Sequence, residues 1–502
     1  MGFREYKGLN LPAITNELLK RWETNSIFEK SIATKGQMGN FVFYEGPPSA
    51  NGVPGIHHVM GRAIKDTFCR YKTLKGFRVN RKAGWDTHGL PVELGVEKEL
   101  GITKEDIGKT ISINEYNAAC KKAVMKYTDI WNDLTKSMGY WVDMSEPYVT
   151  YDSKYIESVW WLLGQLYEKD LLYKGYTIQP YSPKAGTGLS SHEINQPGCY
   201  RNVKDTSVVA QFKWIENQES PWGISGANRF FLAWTTTPWT LPSNTALTVG
   251  PSIEYVLIKT LNPYTFEEIE VVCASALVHS LFGKGFIAVE FPEAVRLTEN
   301  EKQIPYWVGN GCSGNDLVGI KYEQLMPYCL PYQNPDQAFR VIGGSFVTTE
   351  DGTGIVHTAP TFGADDARVA QEAGVPPLLI LNESGHPVPL VDLQGKFRME
   401  LGEFGGKYVK NEYYSDNEVP EKSVDVEIAI HLKERGRAFK VEKYEHSYPH
   451  CWRTDKPVLY YPLDSWFIRV AEHREQLVAL NQTINWKPES TGSGRFGKWL
   501  EN

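Results

Sequence analysis

An α/β domain interrupted by a mostly β insert is the fold class the sequence predicts, and three observations predict it. Near the N-terminus, short apolar strands alternate with Gly/Pro-rich loops and long amphipathic helices. From about residue 200 the pattern changes to short β-rich runs broken by Pro and Gly. A helical pattern returns near residue 424, and the aromatic stretch at 444–467 reads as re-entry into the first domain. The chain has 502 residues, and at roughly 100 to 200 residues per domain it is too long for one core. The expected division is 1–195, 196–415 and 416–502, the last returning toward the first domain with its second half truncated.

Each element has a local reason. Residues 40–44 (NFVFY) read as a short buried strand, followed by the turn-rich 46–52 and then a helix through Met60, Ile64, Phe68 and Tyr71. A second strand is expected from 77 to 81, with Gly84, Trp85 and Asp86 in the following loop, where open parallel sheets present ligand groups. One long helix carries Val124, Tyr127, Trp131 and Leu134 at three-four spacing, and the next carries Ile156, Val159, Trp160, Leu163 and Leu166. Gly139 and Gly175 are the expected stops. Strands are expected at 230–234, 255–259 and 267–274, and a helix at 424–435.

Composition bounds the function. With 41% apolar and 23% charged residues and 15 tryptophans, the chain is built to bury large cores. A net charge of -7, from 53 basic and 60 acidic residues, gives no global pull on nucleic acid, so any RNA contact needs a local basic surface. No apolar run approaches the ~18 residues that cross a bilayer, and MGFREYKGLN lacks a signal-peptide core, so a cytoplasmic location without membrane contact is expected. The 7 cysteines include no Cys-x-x-Cys pair, which fits free thiols.

Residues 46–58 (GPPSANGVPGIHH) place glycines and two histidines at a helix N-terminus, where unpaired N–H groups and the dipole attract phosphate. Alone the signal is weak, because such loops are common before helices. Its spacing to GWDTHGLPVE at 84–93 is more specific. Tyr44, Glu45, Gly46, Pro47 and Pro48, then Asn51-Gly52, Lys65-Asp66, Arg70-Tyr71-Lys72 and the run from Gly84 to Pro91 resemble the start of class I aminoacyl-tRNA synthetases. Among them, the Trp85-Asp86-Thr87-His88-Gly89-Leu90-Pro91 form is similar to isoleucyl enzymes; leucyl enzymes tend to carry Phe at the place of His88, and valyl enzymes a His-Ala-Gly-Ile arrangement.

The resemblance implies a Rossmann-like domain that uses ATP with Mg2+ to condense isoleucine into an adenylate and passes the acyl group to tRNA(Ile). It implies that Asp86 pairs with the substrate ammonium, a job that suits a carboxylate because a desolvated ammonium needs a charged acceptor. Gly46, Pro47 and His88 complete the amino-acid site, and Gly55, His57 and His58 the ATP site, the histidines being the catalytic pair. One departure stands out: relatives carry His-x-Gly-His where this chain has Gly55-Ile56-His57-His58. Either His57 points aside or it offers its imidazole to phosphate in place of the missing side chain, the reading favoured here. The swap is also expected to weaken mupirocin, an inhibitor of the family that imitates the adenylate.

The β-rich region carries its own match. The run from Trp234 to Ala246 (WTTTPWTLPSNTA) looks like the threonine-rich segment of the family's editing domain, and GTGIVHTAP at 352–360, with Asp365 and Asp366 following, looks like its partner. The resemblance makes Asp366 the anchor for a misacylated amino group, with Thr235, Thr236, Thr237, Asn244 and His357 lining the acyl and ribose site. The chemical need is plain: one methylene separates valine from isoleucine and is worth only about 1–3 kcal/mol, a limit for which isoleucyl synthetases are themselves the standing illustration, so a second hydrolytic site supplies the rest. Threonine hydroxyls and backbone groups can position a water without metal.

Where some relatives hold zinc with two Cys-x-x-Cys pairs, this chain has Ser182 and Ala185, then Cys451 and Thr454. One ligand of four remains, so no zinc is expected. No Lys-Met-Ser-Lys-Ser loop occurs before the sequence stops at GRFGKWLEN, so little adenylate formation by these residues alone is expected, and a monomer. A free-standing editing hydrolase of mischarged tRNA stays open beside the synthetase, as do the valyl and leucyl branches; Asp86 with the Pro47-Pro48 loop, and His88, weigh against them respectively.

Overall fold

The structure is a computed structural model describing residues 8–33, 36–224, 226, 228–296 and 302–501. Residues up to Tyr173 and from Phe467 onward form one compact unit, and Lys174–Trp466 form another.

The first unit opens with α1 (Leu11–Thr24), capped by the Asn10 side chain accepting from the Ala13 N–H. Its centre is a parallel sheet of β1 (Asn40–Tyr44), β2 (Arg78–Trp85) and β3 (Asp143–Val149), with β2 in the middle. The connection from β1 to β2 runs through α2 (Ile56–Leu74), the crossover that parallel strands require. An ion network ties α2 to the sheet: Asp66 receives Arg70 Nε at 2.6 Å and Arg81 Nη1 at 3.2 Å, and Arg81 Nη2 donates to the Thr73 hydroxyl at 3.0 Å. Thus the Lys-Asp and Arg-Tyr-Lys groups read as motif in α2 include the groups that brace it.

After β2 come α3 (Leu90–Leu100), α4 (Ile113–Val124) and α5 (Thr128–Ser137). The helix expected to carry both Val124 and Trp131 is therefore broken. The reason is the Tyr127 N–H, which leaves the helical ladder to donate to the Ala50 carbonyl at 3.0 Å. Gly139 follows α5 at φ 63, as expected of a glycine stop. The next helix, α6 (Ser153–Glu168), is followed instead by a left-handed turn at Asp170, which adopts φ 56, and Gly175 lies inside an extended strand.

Apolar side chains on α2 and α6 face solvent: Ile56, Met60, Ile64, Phe68 and Tyr71 recur at three-four spacing on α2, each about half exposed or more, with Trp160 and Trp161 on α6.

The second unit is a large mixed sheet. Its strands are β4 (Tyr200–Lys213), β5 (Arg229–Thr235), β6 (Ala246–Val249), β7 (Glu254–Leu261), β8 (Glu268–Ala274), β9 (Phe286–Ala288), β10 (Ile304–Ser313), β11 (Arg340–Gly343) and β12 (Ile355–Thr358). Helices α7 (Ala364–Glu372) and α8 (Val424–Glu434) and strand β13 (Ala438–Pro449) complete it. The order is β9-β10-β7-β8-β5-β12-β6-β11, with β4 joining β5 to β13. Near-continuous burial along β5, β6, β8 and the second half of β4 explains their unalternating apolar runs. Phe212, Trp214, Phe231, Leu232, Ile258 and Leu247 are among the side chains sealed in this core.

No helix among the described residues is long and apolar enough to cross a membrane.

Candidate functional site

In the first unit the parallel pairing of β1 with β2, Tyr44 opposite Lys82, sets the loops that follow these strands side by side at their carboxyl ends. The Asp86 N–H donates to the Pro48 carbonyl at 3.0 Å, which locks loop 46–55 against loop 86–89. The Asp86 carboxylate is exposed, with Oδ1 accepting from the His88 N–H at 3.3 Å. His88 Nδ1 lies 2.9 Å from the Thr150 hydroxyl, which also accepts from the Thr87 N–H.

Gly55 caps α2 in an extended conformation, and its N–H donates to His58 Nδ1 at 2.9 Å. That bond assigns the proton of neutral His58 to Nε2. Burial, then the neighbouring His57 and Arg62, lower the pKa of His58. The His57 ring is exposed and lies 3.8 Å from that of His58. A Cβ at position 55 would fall 2.8 Å from His57 Cε1. Gly55 and His57 therefore belong together: the missing side chain leaves the space in which the new imidazole lies.

Under these loops sits Glu45, only 4% exposed. Its carboxylate accepts from Lys65 Nζ at 2.8 Å and from the Tyr140 hydroxyl, and its carbonyl accepts from the Tyr148 hydroxyl. Arg62 Nη1 donates to Thr135 at 2.9 Å and lies over the Trp131 ring. A cavity of about 240 Å³ opens beside them, lined by Gly84, Trp85, Asn132 and Tyr140 among others.

In the second unit the end of β5 and strand β12 are neighbours, with Trp234 opposite Val356. This pairing brings the threonine run against His357, and the turn into α7 delivers Asp366. Thr235, Thr236, Thr237, Thr240, His357, Phe362 and Asp366 line one cavity of about 320 Å³. The Thr235 hydroxyl accepts from the Thr237 N–H at 3.1 Å and lies 3.2 Å from the Thr237 hydroxyl. Asp366 Oδ2 accepts from the Ala359 N–H at 2.8 Å. Burial pushes its pKa up to about 6, against that hydrogen bond, which lowers it. Such a carboxylate is held at a cost and gains most from an incoming cation.

Sequence comparison decides the family. A family model described as tRNA synthetases class I (I, L, M and V) matches residues 17–502. The chain belongs to the class I tRNA synthetases. An isoleucine--tRNA ligase of Cytophaga hutchinsonii is 59% identical over 506 residues, covering 99% of this chain and 45% of that protein. One of Bacteroides fragilis strain YCH46 is 58% identical over 524 residues, covering 100% of this chain and 44% of that protein. One of Clostridium tetani is 43% identical, covering 97% and 41%. The chain thus spans less than half the length of these curated relatives.

Within this class I synthetase chain, Gly46, Pro47, Asp86, His88, Gly55, His57 and His58 all lie on loops or a helix start at one end of the parallel sheet. Of the residues expected in the second site, Asn244 alone does not line the cavity: it is 1% exposed and stands behind His357. Thr240 and Phe362, which were not singled out, do line it. Also unforeseen is a buried ion cluster behind the threonine run. Lys410 Nζ contacts Asp205 at 2.9 Å and Asp425 at 3.9 Å, and Asp425 Oδ1 accepts from the Trp239 N–H at 2.9 Å. Burial pushes the Asp425 pKa up to about 7, with Lys410 opposing it.

At the positions where some class I synthetases place zinc thiolates, the Ser182 hydroxyl accepts from the Ala185 N–H at 3.2 Å and Cys451 is buried. No cluster of three or more His, Cys, Asp or Glu able to hold a metal occurs among the described residues.

Proposed function

We propose that this chain is the activation and editing portion of an isoleucyl-tRNA synthetase. In the whole enzyme, ATP with Mg2+ activates isoleucine at the loops after β1 and β2, and the acyl group passes to tRNA(Ile). Asp86 takes the ammonium of isoleucine, since it is an exposed carboxylate fixed by its own loop rather than by a cation. The α2 N-terminus, with His57 and His58, takes phosphate; imidazole N–H groups at the positive end of a helix dipole suit an anion. Isoleucine rather than valine or leucine is supported by His88 and by the curated relatives named above. The enzyme acts as a monomer in the cytoplasm.

The β-rich stretch 196–415 serves as the editing insert, and its cavity hydrolyses Val-tRNA(Ile). The observation that carries this reading is the convergence of a pKa-raised carboxylate and a row of threonine hydroxyls in one cavity of about 320 Å³. Asp366 holds the ammonium of the misattached valine, and the threonines Thr235, Thr236 and Thr237 hold ribose and water, so that water adds to the ester carbonyl and the tRNA hydroxyl leaves. The test is deacylation of Val-tRNA(Ile) against Ile-tRNA(Ile) by the 502-residue chain and by Asp366→Ala. Selective hydrolysis of the valyl ester, lost on substitution, is expected; equal hydrolysis of both esters, or none, would overturn the assignment.

A further inference from the structure

His357 is the obvious candidate for a general base in the second cavity, yet its hydrogen bonds leave no room for that role. Both ring nitrogens are occupied: Nε2 lies 3.0 Å from the Thr240 hydroxyl and Nδ1 lies 2.9 Å from Asn244 Nδ2.

The orientation of Asn244 decides which nitrogen carries the proton. Its Nδ2 lies 2.8 Å from the Ala246 carbonyl, which can only accept, so the amide NH2 must face that way. Its Oδ1 accepts from the Tyr322 hydroxyl at 2.7 Å, on the opposite side. The remaining Nδ2 proton then points at His357 Nδ1, with the Thr358 carbonyl at a longer 3.4 Å. Nδ1 is an acceptor, and the neutral ring bears its hydrogen on Nε2. That hydrogen is donated to Thr240, whose own hydroxyl hydrogen goes to the Thr237 carbonyl at 2.8 Å. The relay runs in one direction, Tyr322 to Asn244 to His357 to Thr240 to Thr237, and ends on the backbone of the cavity wall. Phe212 lies nearly parallel to the imidazole with ring centroids 6.5 Å apart and packs edge-on against Tyr322 at 5.5 Å, and both His357 and Tyr322 are buried.

We infer that Tyr322 and Asn244 are positioning residues that hold His357 as the Nε2–H tautomer, so that the imidazole fixes the threonine wall and takes no proton during ester hydrolysis. The consequence for catalysis rests on the hydrolytic reading of the cavity; the tautomer rests on the hydrogen bonds alone. It leaves the hydroxyls of Thr235, Thr236 and Thr237 as the groups that contact water and ester, while Thr240 is fully committed. Among the described residues, the one titratable side chain sharing the cavity wall with His357 is Asp366.

The test has two independent readouts. In the 502-residue chain labelled with [15N]histidine, and assigned by loss of the signals in His357→Ala, ring-nitrogen NMR should show Nε2 bearing hydrogen and Nδ1 bare, without titration from pH 5 to 8. Asn244→Leu removes the donor to Nδ1 and should populate the second tautomer, and Tyr322→Phe, which leaves the Ala246 contact in place, should do so to a smaller extent. In Val-tRNA(Ile) deacylation, His357→Ala should lower kcat by about a hundredfold, as for a lost buried donor and acceptor together, with KM nearly unchanged. His357→Gln, whose amide also offers one donor and one acceptor, should restore kcat to within about tenfold of the parent. An amide cannot accept a proton as a base, so equal inactivity of Gln and Ala variants would overturn the inference, as would Nδ1 protonation or a titrating ring. Absence of deacylation by the unsubstituted chain would instead overturn the editing reading and leave the NMR result to decide the tautomer.

Discussion

Asp366→Asn should make the second unit more stable while removing the charge its cavity needs. Asparagine keeps the shape of the side chain and an oxygen that can accept from the Ala359 N–H. What it removes is a charge placed where burial pushes the carboxyl pKa from 3.8 up to about 6. The folded state therefore holds that proton more tightly than the unfolded chain does, so the contribution of this carboxyl to folded stability falls as pH rises from about 4 to about 6 and is level above. At about 1.4 kcal/mol per pH unit, the penalty above pH 6 reaches about 3 kcal/mol, an upper limit because one side of Asp366 meets the open cavity. Asparagine escapes it, so the gain should approach that value at pH 7.5 and shrink toward nothing at pH 4. Hydrogen exchange in graded urea, read at amides of β5 and β12, reports on this unit without interference from the other. A variant less stable than the parent at pH 7.5, or a gain of equal size at pH 4, would refute the argument. The trade of stability for a poised charge is the pattern expected where binding needs a strained site.

Three further outcomes follow from the same structure. Burial lowers the His357 pKa to about 3, so below pH 6.5 the unfolded chain takes up a proton the folded one refuses; in the Asp366→Asn background, adding His357→Gln should remove about 1.4 kcal/mol per pH unit of acid destabilisation between pH 6 and pH 4, as read by comparing the two variants in urea titrations. Lys410→Met leaves Asp425 without its cation and Asp205 with only His446, and should cost about 3–5 kcal/mol at pH 7.5 and less at pH 5.5, where Asp425 can protonate; equal losses at both would contradict the ion cluster. Gly84→Ala would put a methyl 2.4 Å from the Tyr148 ring and break its hydrogen bond to Glu45, lowering the thermal midpoint of the first unit through about 1–3 kcal/mol of overpacking, and an unchanged midpoint would show that ring to be free to move.

What could be read from sequence was what is local. The strand, loop and helix of β1 and α2 announce themselves within a few residues through apolar runs and turn residues, whereas the threonine run and the segment carrying His357 and Asp366 are joined only by the family resemblance. Three readings failed for through-space reasons. The Val124 to Trp131 helix breaks because the Tyr127 N–H is claimed by Ala50. β2 runs on through Gly84 and Trp85 because β3 pairs with them there. Helix α6 gives way at Asp170 to a left-handed conformation that favours glycine but that asparagine and aspartate also adopt, whereas Gly175 is held in a strand. The residues that brace the sites were invisible for the same cause. Tyr140 reaches Glu45 across 95 residues of chain, Tyr322 reaches Asn244 across 78, and Lys410 reaches Asp205 across 205. No spacing rule links such partners; only the pairing of strands does.

The strip of side chains from Ile56 to Tyr71 along α2 has a practical consequence for anyone handling these residues. Each Å² of such surface left in contact with water forgoes roughly 25 cal/mol, a quantity released to whatever first covers it. In a concentrated preparation that first contact is another copy, so light scattering should grow with protein concentration and with sulfate, which strengthens apolar association, and recede on dilution or with a mild detergent. A Phe68→Lys change, placed on the strip more than two turns from Gly55, is the direct remedy for poor solubility.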